Sequence, residues 1–258
     1  MKKVFASDFD GTLYFYQAAD EDKLPEASVQ KILEYQKAGH LFGLCTGRQV
    51  GGLTPFIGGH FEPDFYITSS GANIVDGKMQ EIQKRGVDRD VADGIVQMIR
   101  KRGDYRMTLD VEGDICVFAE MDYPGKYYVI KEVSDCPEGL IHQVSIHTED
   151  VDDAQSIVDE VNERFAGRVQ AFRNVIEVDI APFGCSKGKG VEVLRKHMGE
   201  CRLYGIGDSM NDLPLIDAAD VSYTFPYAPE EVQKRATKVV ETIVDALEDS
   251  MNEEIYTS

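Results

Sequence analysis

Asp8 and Asp10 stand one residue apart where the apolar run Val4-Phe5-Ala6 gives out, and Gly11-Thr12 follow them. Alternate residues of a strand share a face, so both carboxylates project the same way just as the strand ends. Two like charges held that close call for a cation, a shared proton or a substrate. An all-oxygen ligand set suits Mg²⁺, which binds through one or two carboxylates, waters and substrate phosphate. Asp-Gly is also a common turn, so this pair alone leaves a purely structural role open. A second apolar run, Leu203-Tyr204-Gly205-Ile206, breaks into carboxylates in the same way at Asp208 and Asp212. Ligands of open parallel sheets sit beyond the carboxyl ends of the strands, so these four aspartates are expected to form one acidic, metal-binding mouth. Between them lie Thr46-Gly47-Arg48, at the end of the run Leu41 to Cys45, and Ser186-Lys187-Gly188, which opens a helix. A hydroxyl, free N–H groups at a glycine and an ammonium are the usual donors to phosphate oxygens.

The ordered set Asp8-Phe9-Asp10-Gly11-Thr12, Thr46-Gly47-Arg48, Lys187 in Ser-Lys-Gly, and Gly207-Asp208-Ser209-Met210-Asn211-Asp212 resembles the four motifs of the haloacid dehalogenase superfamily of phosphohydrolases. The likeness is to its Cof-like branch, which carries a large type IIB α/β cap inserted after the second motif. It implies that Asp8 is a nucleophile that forms an aspartyl-phosphate, which water then hydrolyses. Asp10 would protonate the leaving alcohol and then activate the water. Mg²⁺ would be held by Asp8, the backbone carbonyl of Asp10 and Asp208, with Asp212 orienting the site from behind. Thr46, the N–H groups of Phe9 and Gly47, Lys187 and Asn211 would cradle the phosphoryl group. Lys187 would also keep Asp8 ionised. Taken singly, Thr46-Gly47 merely ends a strand, Lys187 is a solvated lysine at a helix start, and Asn211-Asp212 caps a helix from Leu213 to Ala218. Four such accidents at four successive strand ends, each with a residue type that phosphoryl transfer requires, are improbable together.

The chain has 258 residues, enough for two cores. Its 46 acidic against 27 basic residues give a formal charge of −19, which argues against nucleic acid or an anionic membrane as partner. An anionic phosphate ester must then be drawn in locally, by the metal, Lys187 and Arg48. No leader pattern precedes the first strand and no apolar run approaches the ~20 residues of a spanning helix, so a soluble, cytoplasmic protein is expected. The cysteines number five, widely spaced and without a Cys-x-x-Cys pair, and support neither a disulfide framework nor zinc. The histidines are scattered, with His142 and His147 in an expected strand and no matching ligands.

Periodicity predicts a strand at Lys2 to Ser7, a helix at Glu26 to Ala38, and strands at Leu41 to Cys45 and Asp64 to Thr68, an alternation that implies a parallel sheet. The pattern then changes to a hairpin around Ile74 to Lys78, a helix at Asp88 to Arg102, strands from Arg106 to Ala119 broken at Glu112-Gly113-Asp114, a helix at Asp152 to Phe165, and a strand pair over Arg168 to Phe172 and Val175 to Ile180. From Pro182 the βα alternation resumes and ends in a helix at Ile243 to Met251. The expected class is α/β: a Rossmann-like parallel-sheet core over 1–80 and 183–258, with an α+β cap inserted over 81–182 that excludes water and reads the leaving group. Three places depart from the family pattern and bear on the substrate: the aromatic loop Tyr14-Phe15-Tyr16 followed by Asp20-Glu21-Asp22, Ser70 where relatives more often have Asn, and Tyr223-Thr224-Phe225-Pro226-Tyr227 in place of a small, glycine-containing turn. The function expected is a Mg²⁺-dependent phosphatase of small phosphorylated metabolites, sugar phosphates first among them. A phosphosugar mutase and a non-catalytic sensor of a phosphorylated metabolite are the alternatives, and the oligomeric state is not legible.

Overall fold

The structure, a computed structural model, describes residues 1–19, 23–121 and 126–254. The acidic run Asp20-Glu21-Asp22 therefore lies outside the described residues. The first part of the chain forms β1 (Lys2–Ser7), α1 (Glu26–Lys37), β2 (Leu41–Cys45), α2 (Thr54–Ile57), β3 (Phe65–Thr68), β4 (Asn73–Asp76) and β5 (Glu81–Lys84). Next come α3 (Arg89–Arg102), β6 (Arg106–Val111), β7 (Asp114–Val117), β8 (Tyr127–Val129), β9 (Ile141–His147), α4 (Val151–Arg164), β10 (Val169–Asn174) and β11 (Glu177–Pro182). The last part is α5 (Lys187–Met198), β12 (Cys201–Ile206), α6 (Leu213–Ala218), β13 (Val221–Thr224), α7 (Glu230–Arg235), β14 (Lys238–Val239) and α8 (Ile243–Asn252).

Eight strands make one sheet in the order β14-β13-β12-β1-β2-β3-β4-β5. It is parallel from β14 to β3, and β4 and β5 add an antiparallel edge. β1 lies centrally, paired in register with β12 through Val4↔Leu203 and with β2 through Val4↔Leu41. Its two faces are both covered, as its apolar run Val4-Phe5-Ala6 requires. On one face Phe5 stacks with Phe42, Tyr204 and Tyr223 at 6.0 to 6.2 Å, in a core that includes residues of α1 and α8. On the other, Val4 and Ala6 join Val191 and Leu194 of α5. Asp8 continues this second alternation, which directs it towards the start of α5.

Six strands make a second sheet in the order β10-β11-β9-β6-β7-β8, antiparallel except for β7 with β8. Met107, Leu109, Val144, Ile146, Val178 and Ile180 pack beneath α3 and α4 on one face. The alternate residues of β6, and those of β9 and β11 from Gln143 to His147 and from Glu177 to Asp179, are polar and form the opposite face.

Residues 81–84, expected to open the insert, are strand β5 of the first sheet. The turn after Asp76 sends the chain back along β4, where its second arm finds a ready-made edge. The chain reaches the second sheet only at Val87, bridged to Ile141, and comes back after Pro182. Val175, expected at the start of β11, lies instead in the hairpin turn with a left-handed backbone (φ 54) and an exposed side chain. Among the described residues no helix is long and apolar enough to cross a membrane.

Candidate active site

Lys187 is the first residue of α5, whose entry Ser186 fixes by accepting a hydrogen bond from the Lys189 N–H. Its ammonium lies 2.6 Å from Asp8 Oδ1 and 2.5 Å from Asp212 Oδ1, and all three side chains are buried. Asp212 does not cap α6 with its side chain. Its second oxygen accepts the N–H groups of Asp208 and Ser209, each at 3.0 Å, so the carboxylate is fully engaged and orients its neighbours. Lys187 is likewise no solvated helix-start lysine, being 3% exposed. Burial pushes the Asp8 carboxyl well up, Asp212 adds to this, and Lys187 opposes it. Burial works against the Lys187 ammonium too, yet Asp212 and Asp8 together outweigh it and hold the amine well above its ordinary range.

Asp208 joins from the end of β12. Burial and Asp212 push its carboxyl up to about 6, against the Thr12 hydroxyl, which donates to Oδ1 at 2.8 Å. Gly11 permits this approach: its backbone is left-handed (φ 81), and a Cβ there would stand 2.7 Å from Asp208 Oδ2. Asp8, Asp208 and Asp212 each offer an oxygen within 4.8 Å of the others. One ammonium among two buried carboxylates and a half-buried third leaves surplus negative charge in a low dielectric, and hard oxygen donors with that surplus fit Mg²⁺.

Donors without acceptors surround the same strand ends. Asn211 is buried, and its Nδ2 has no partner, while Oδ1 accepts the Ser209 hydroxyl at 2.5 Å. Among the described residues, the N–H groups of Phe9 and Gly47 donate to no protein acceptor. Thr46, 1% exposed, holds the turn through its hydroxyl, which accepts the Arg48 N–H at 3.1 Å. Unpaired buried donors are costly, and a phosphoryl group would satisfy them.

Arg48 grips both oxygens of Asp10, at 2.7 and 2.9 Å, and also donates to the Tyr16 hydroxyl. Its guanidinium lies 5.1 to 5.7 Å from the rings of Phe9, Tyr16 and Phe56. Tyr14 packs on Phe9 and Phe56, so the aromatic loop chiefly builds a cage around Arg48. Beyond Asp10 a cavity of ≈ 440 Å³ opens, with Tyr16, Gly47 and Arg48 on its core side and the polar face of the second sheet opposite.

The structure thus gathers Asp8, Asp208, Asp212 and Lys187 in one buried cluster, with Asp10 and Arg48 at its outer edge. Sequence reasoning missed Thr12, although it stands inside the first motif. It also missed Gln143, Ser145 and Asp179 from the second sheet, whose only signal is period-2 alternation. Tyr227, whose hydroxyl donates to the Gly11 carbonyl at 2.7 Å, fell within a segment noted for its departure without a role.

Buried carboxylates at parallel strand ends, one ammonium among them and an α+β insertion across the mouth define an α/β enzyme of the phosphoryl-transfer class. The chain belongs to the haloacid dehalogenase-like hydrolases, whose family model matches residues 5–246. It is 24% identical over 232 residues to the HMP-PP phosphatase of Citrobacter koseri, covering 84% of this chain and 82% of that one. The HMP-PP phosphatase of Klebsiella pneumoniae is 23% identical over 230 residues, covering 84% and 81%. A haloacid dehalogenase-like hydrolase from Bacteroides thetaiotaomicron superimposes with a TM-score of 0.80 at 19% identity, covering 96% of this chain and 99% of that one. A subclass IIB sugar phosphatase of the superfamily gives 0.78 at 18%, covering 97% of each. The expected family and α/β architecture are therefore correct, and the protein is a haloacid dehalogenase-like hydrolase.

Proposed function

We propose that the chain is a Mg²⁺-dependent phosphatase of small phosphorylated metabolites, with sugar phosphates as the leading class, working through an aspartyl-phosphate on Asp8. The buried Asp8–Lys187–Asp212 triad beside Asp208 carries this reading. A carboxylate held this way is oriented for in-line attack on phosphorus, and the lysine offsets the charge that would repel a phosphate dianion. Asp8 and Asp208, with the Asp10 carbonyl, would hold the Mg²⁺, which when bound supplies charge neutralisation at the transferring phosphoryl oxygens. Asp212, with both oxygens engaged, serves as the orienting group. Thr46, Asn211, Lys187 and the N–H groups of Phe9 and Gly47 receive the phosphoryl oxygens.

Asp10 stands on the cavity wall, where the bridging oxygen of the ester would arrive. Passing a proton to the leaving alcohol requires it to exchange one of its Arg48 hydrogen bonds, so the guanidinium sets the orientation of the carboxyl before the substrate enters. We assign the catalytic part to residues 1–84 and 183–258 and the selecting cap to 85–182, and the cytoplasm as the working compartment. The sugar phosphatase and HMP-PP phosphatases to which the chain is similar support a small phosphorylated substrate.

The test is phosphate release from a panel of phosphorylated sugars, nucleotides and cofactors, with chelator and with added Mg²⁺, alongside Asp8→Asn. Metal-dependent release by the wild type alone is expected; equal release by Asp8→Asn removes Asp8 as the nucleophile.

A further inference from the structure

The cavity roof is written by strand register. Asp110 pairs with Gln143, Thr108 with Ser145 and Ser145 with Asp179, and Arg106 with His147 and His147 with Glu177. These three rows line the cavity, because their apolar neighbours along each strand point into the helices. The inner two rows hold two carboxylates and no cation. Asp179 is 6% exposed and Asp110 7% exposed, and both are held by neutral donors. Asp179 Oδ1 accepts the Ser145 hydroxyl at 2.9 Å and the Gln143 amide at 3.0 Å. Asp110 accepts the Ser69 hydroxyl and the Gly113 N–H.

Gln143 can sit only one way round. Its Nε2 faces the Gly47 carbonyl at 2.8 Å as well as Asp179, and a flipped amide would set oxygen against oxygen at both. Its Oε1 is left without a partner, although the residue is only 4% exposed. The guanidinium and imidazole groups on the cavity walls are placed elsewhere. Arg48 is gripped by Asp10 on the core side, while Arg106 and His147 lie in the outer row, more than a third exposed and facing Glu177. A second anionic group reaching the inner rows would meet two carboxylates and the unpartnered Gln143 oxygen, with no cation and only the Thr108 and Ser145 hydroxyls to set against them, whereas hydroxyls or an ammonium would be received.

We propose that this cavity selects phosphate esters whose leaving group is neutral or cationic and rich in hydrogen-bond donors, a polyol or an amino sugar, and rejects leaving groups that carry a second anion. The inference rests on the phosphatase reading above and narrows its substrate class.

The experiment compares kcat/KM of the wild type for glucose 6-phosphate, glucosamine 6-phosphate, 6-phosphogluconate and phenyl phosphate, the last a leaving group with neither charge nor donors. Both sugars are expected to exceed 6-phosphogluconate by at least about tenfold, the effect of one mispaired buried polar group. Glucosamine 6-phosphate above glucose 6-phosphate identifies an ammonium at the inner rows, and equality identifies hydroxyls; either supports the selection. In Asp179→Asn the ratio of sugar to 6-phosphogluconate is expected to narrow by at least about threefold. A wild-type ratio below tenfold, with phenyl phosphate still hydrolysed, overturns the selection and leaves the phosphatase intact. An unchanged ratio in Asp179→Asn removes that carboxylate as the selecting group, and no hydrolysis of any of the four compounds overturns both readings.

Discussion

Two pairs of buried carboxylates face each other across the mouth, and they are kept in opposite ways. Asp8 and Asp212 share one ammonium, so charge is answered by charge. Asp179 and Asp110 are answered by hydroxyls, an amide and a backbone N–H, so charge is answered by dipoles. The first arrangement aims a nucleophile in low dielectric, where the ammonium opposes the burial that pushes the Asp8 carboxyl up. The second leaves a residual field, which burial raises and which a ligand of the right sign can relieve. Chemistry and selection thus sit on different sheets and use different electrostatics.

The comparison breaks most sharply at Asp8. Asp8→Asn is expected to lower kcat by roughly 10⁴- to 10⁶-fold while the circular dichroism spectrum and thermal midpoint hold, since the amide is nearly isosteric and a poor nucleophile. Retained turnover would end the charge-for-charge account. Lys187→Met leaves Asp8 and Asp212 buried without their cation, and a loss of about 3–5 kcal/mol is expected in denaturant titration. A cost below about 1 kcal/mol would mean that the ammonium is not what the two carboxylates depend on.

On the dipole side the sign reverses. Burial raises Asp179 from the ordinary 3.8 to about 6. Between those values the folded chain keeps a proton that the unfolded chain has released, so stability falls as pH rises through that window and stays lowered above it. Asp179→Asn keeps an acceptor for Ser145 and Gln143 and removes the penalty, so a gain of up to about 3 kcal/mol is expected at pH 7.5, shrinking as the pH falls towards 4. Thermal melts across that range check it, and a variant less stable than wild type at pH 7.5 would show that the carboxylate is fully compensated. Arg48→Lys replaces the two-point grip on Asp10 with a single one, and kcat is expected to fall about tenfold, read in steady-state kinetics with saturating Mg²⁺. The smallest effect is local: Val175→Asn, which suits a left-handed turn better than a β-branched side chain, is expected to add about 1 kcal/mol in denaturant titration.

The core half of the site was legible because its chemistry falls at sequence discontinuities. Apolar runs end abruptly at Asp8, Thr46 and Asp208, and a strand end is where an α/β sheet exposes side chains to a ligand. Lys187 followed from its place at a helix start. The cap half was not legible for a physical reason. Alternation in His142-Gln143-Val144-Ser145-Ile146-His147 says that Gln143, Ser145 and His147 share a face, but helices and solvent cover the two faces of an insert in ways that period 2 does not distinguish. Only the register of β6, β9 and β11 brings Gln143 and Asp179 over Gly47 and Asp110 over Ser69. The edge strand β5 was missed similarly, since a hairpin signal marks a turn and not the sheet that its second arm will join.

The central place of β1 governs how the protein is made. Val4 pairs with Leu203, so the strand that ends in Asp8 lacks one of its two neighbours until β12 has left the ribosome. The antiparallel insert, whose strands pair among themselves, completes its own hydrogen bonding earlier. During synthesis the selecting surface is therefore finished before the catalytic one, and the nascent chain holds its nucleophile outside a completed sheet until β12 arrives to close the fold.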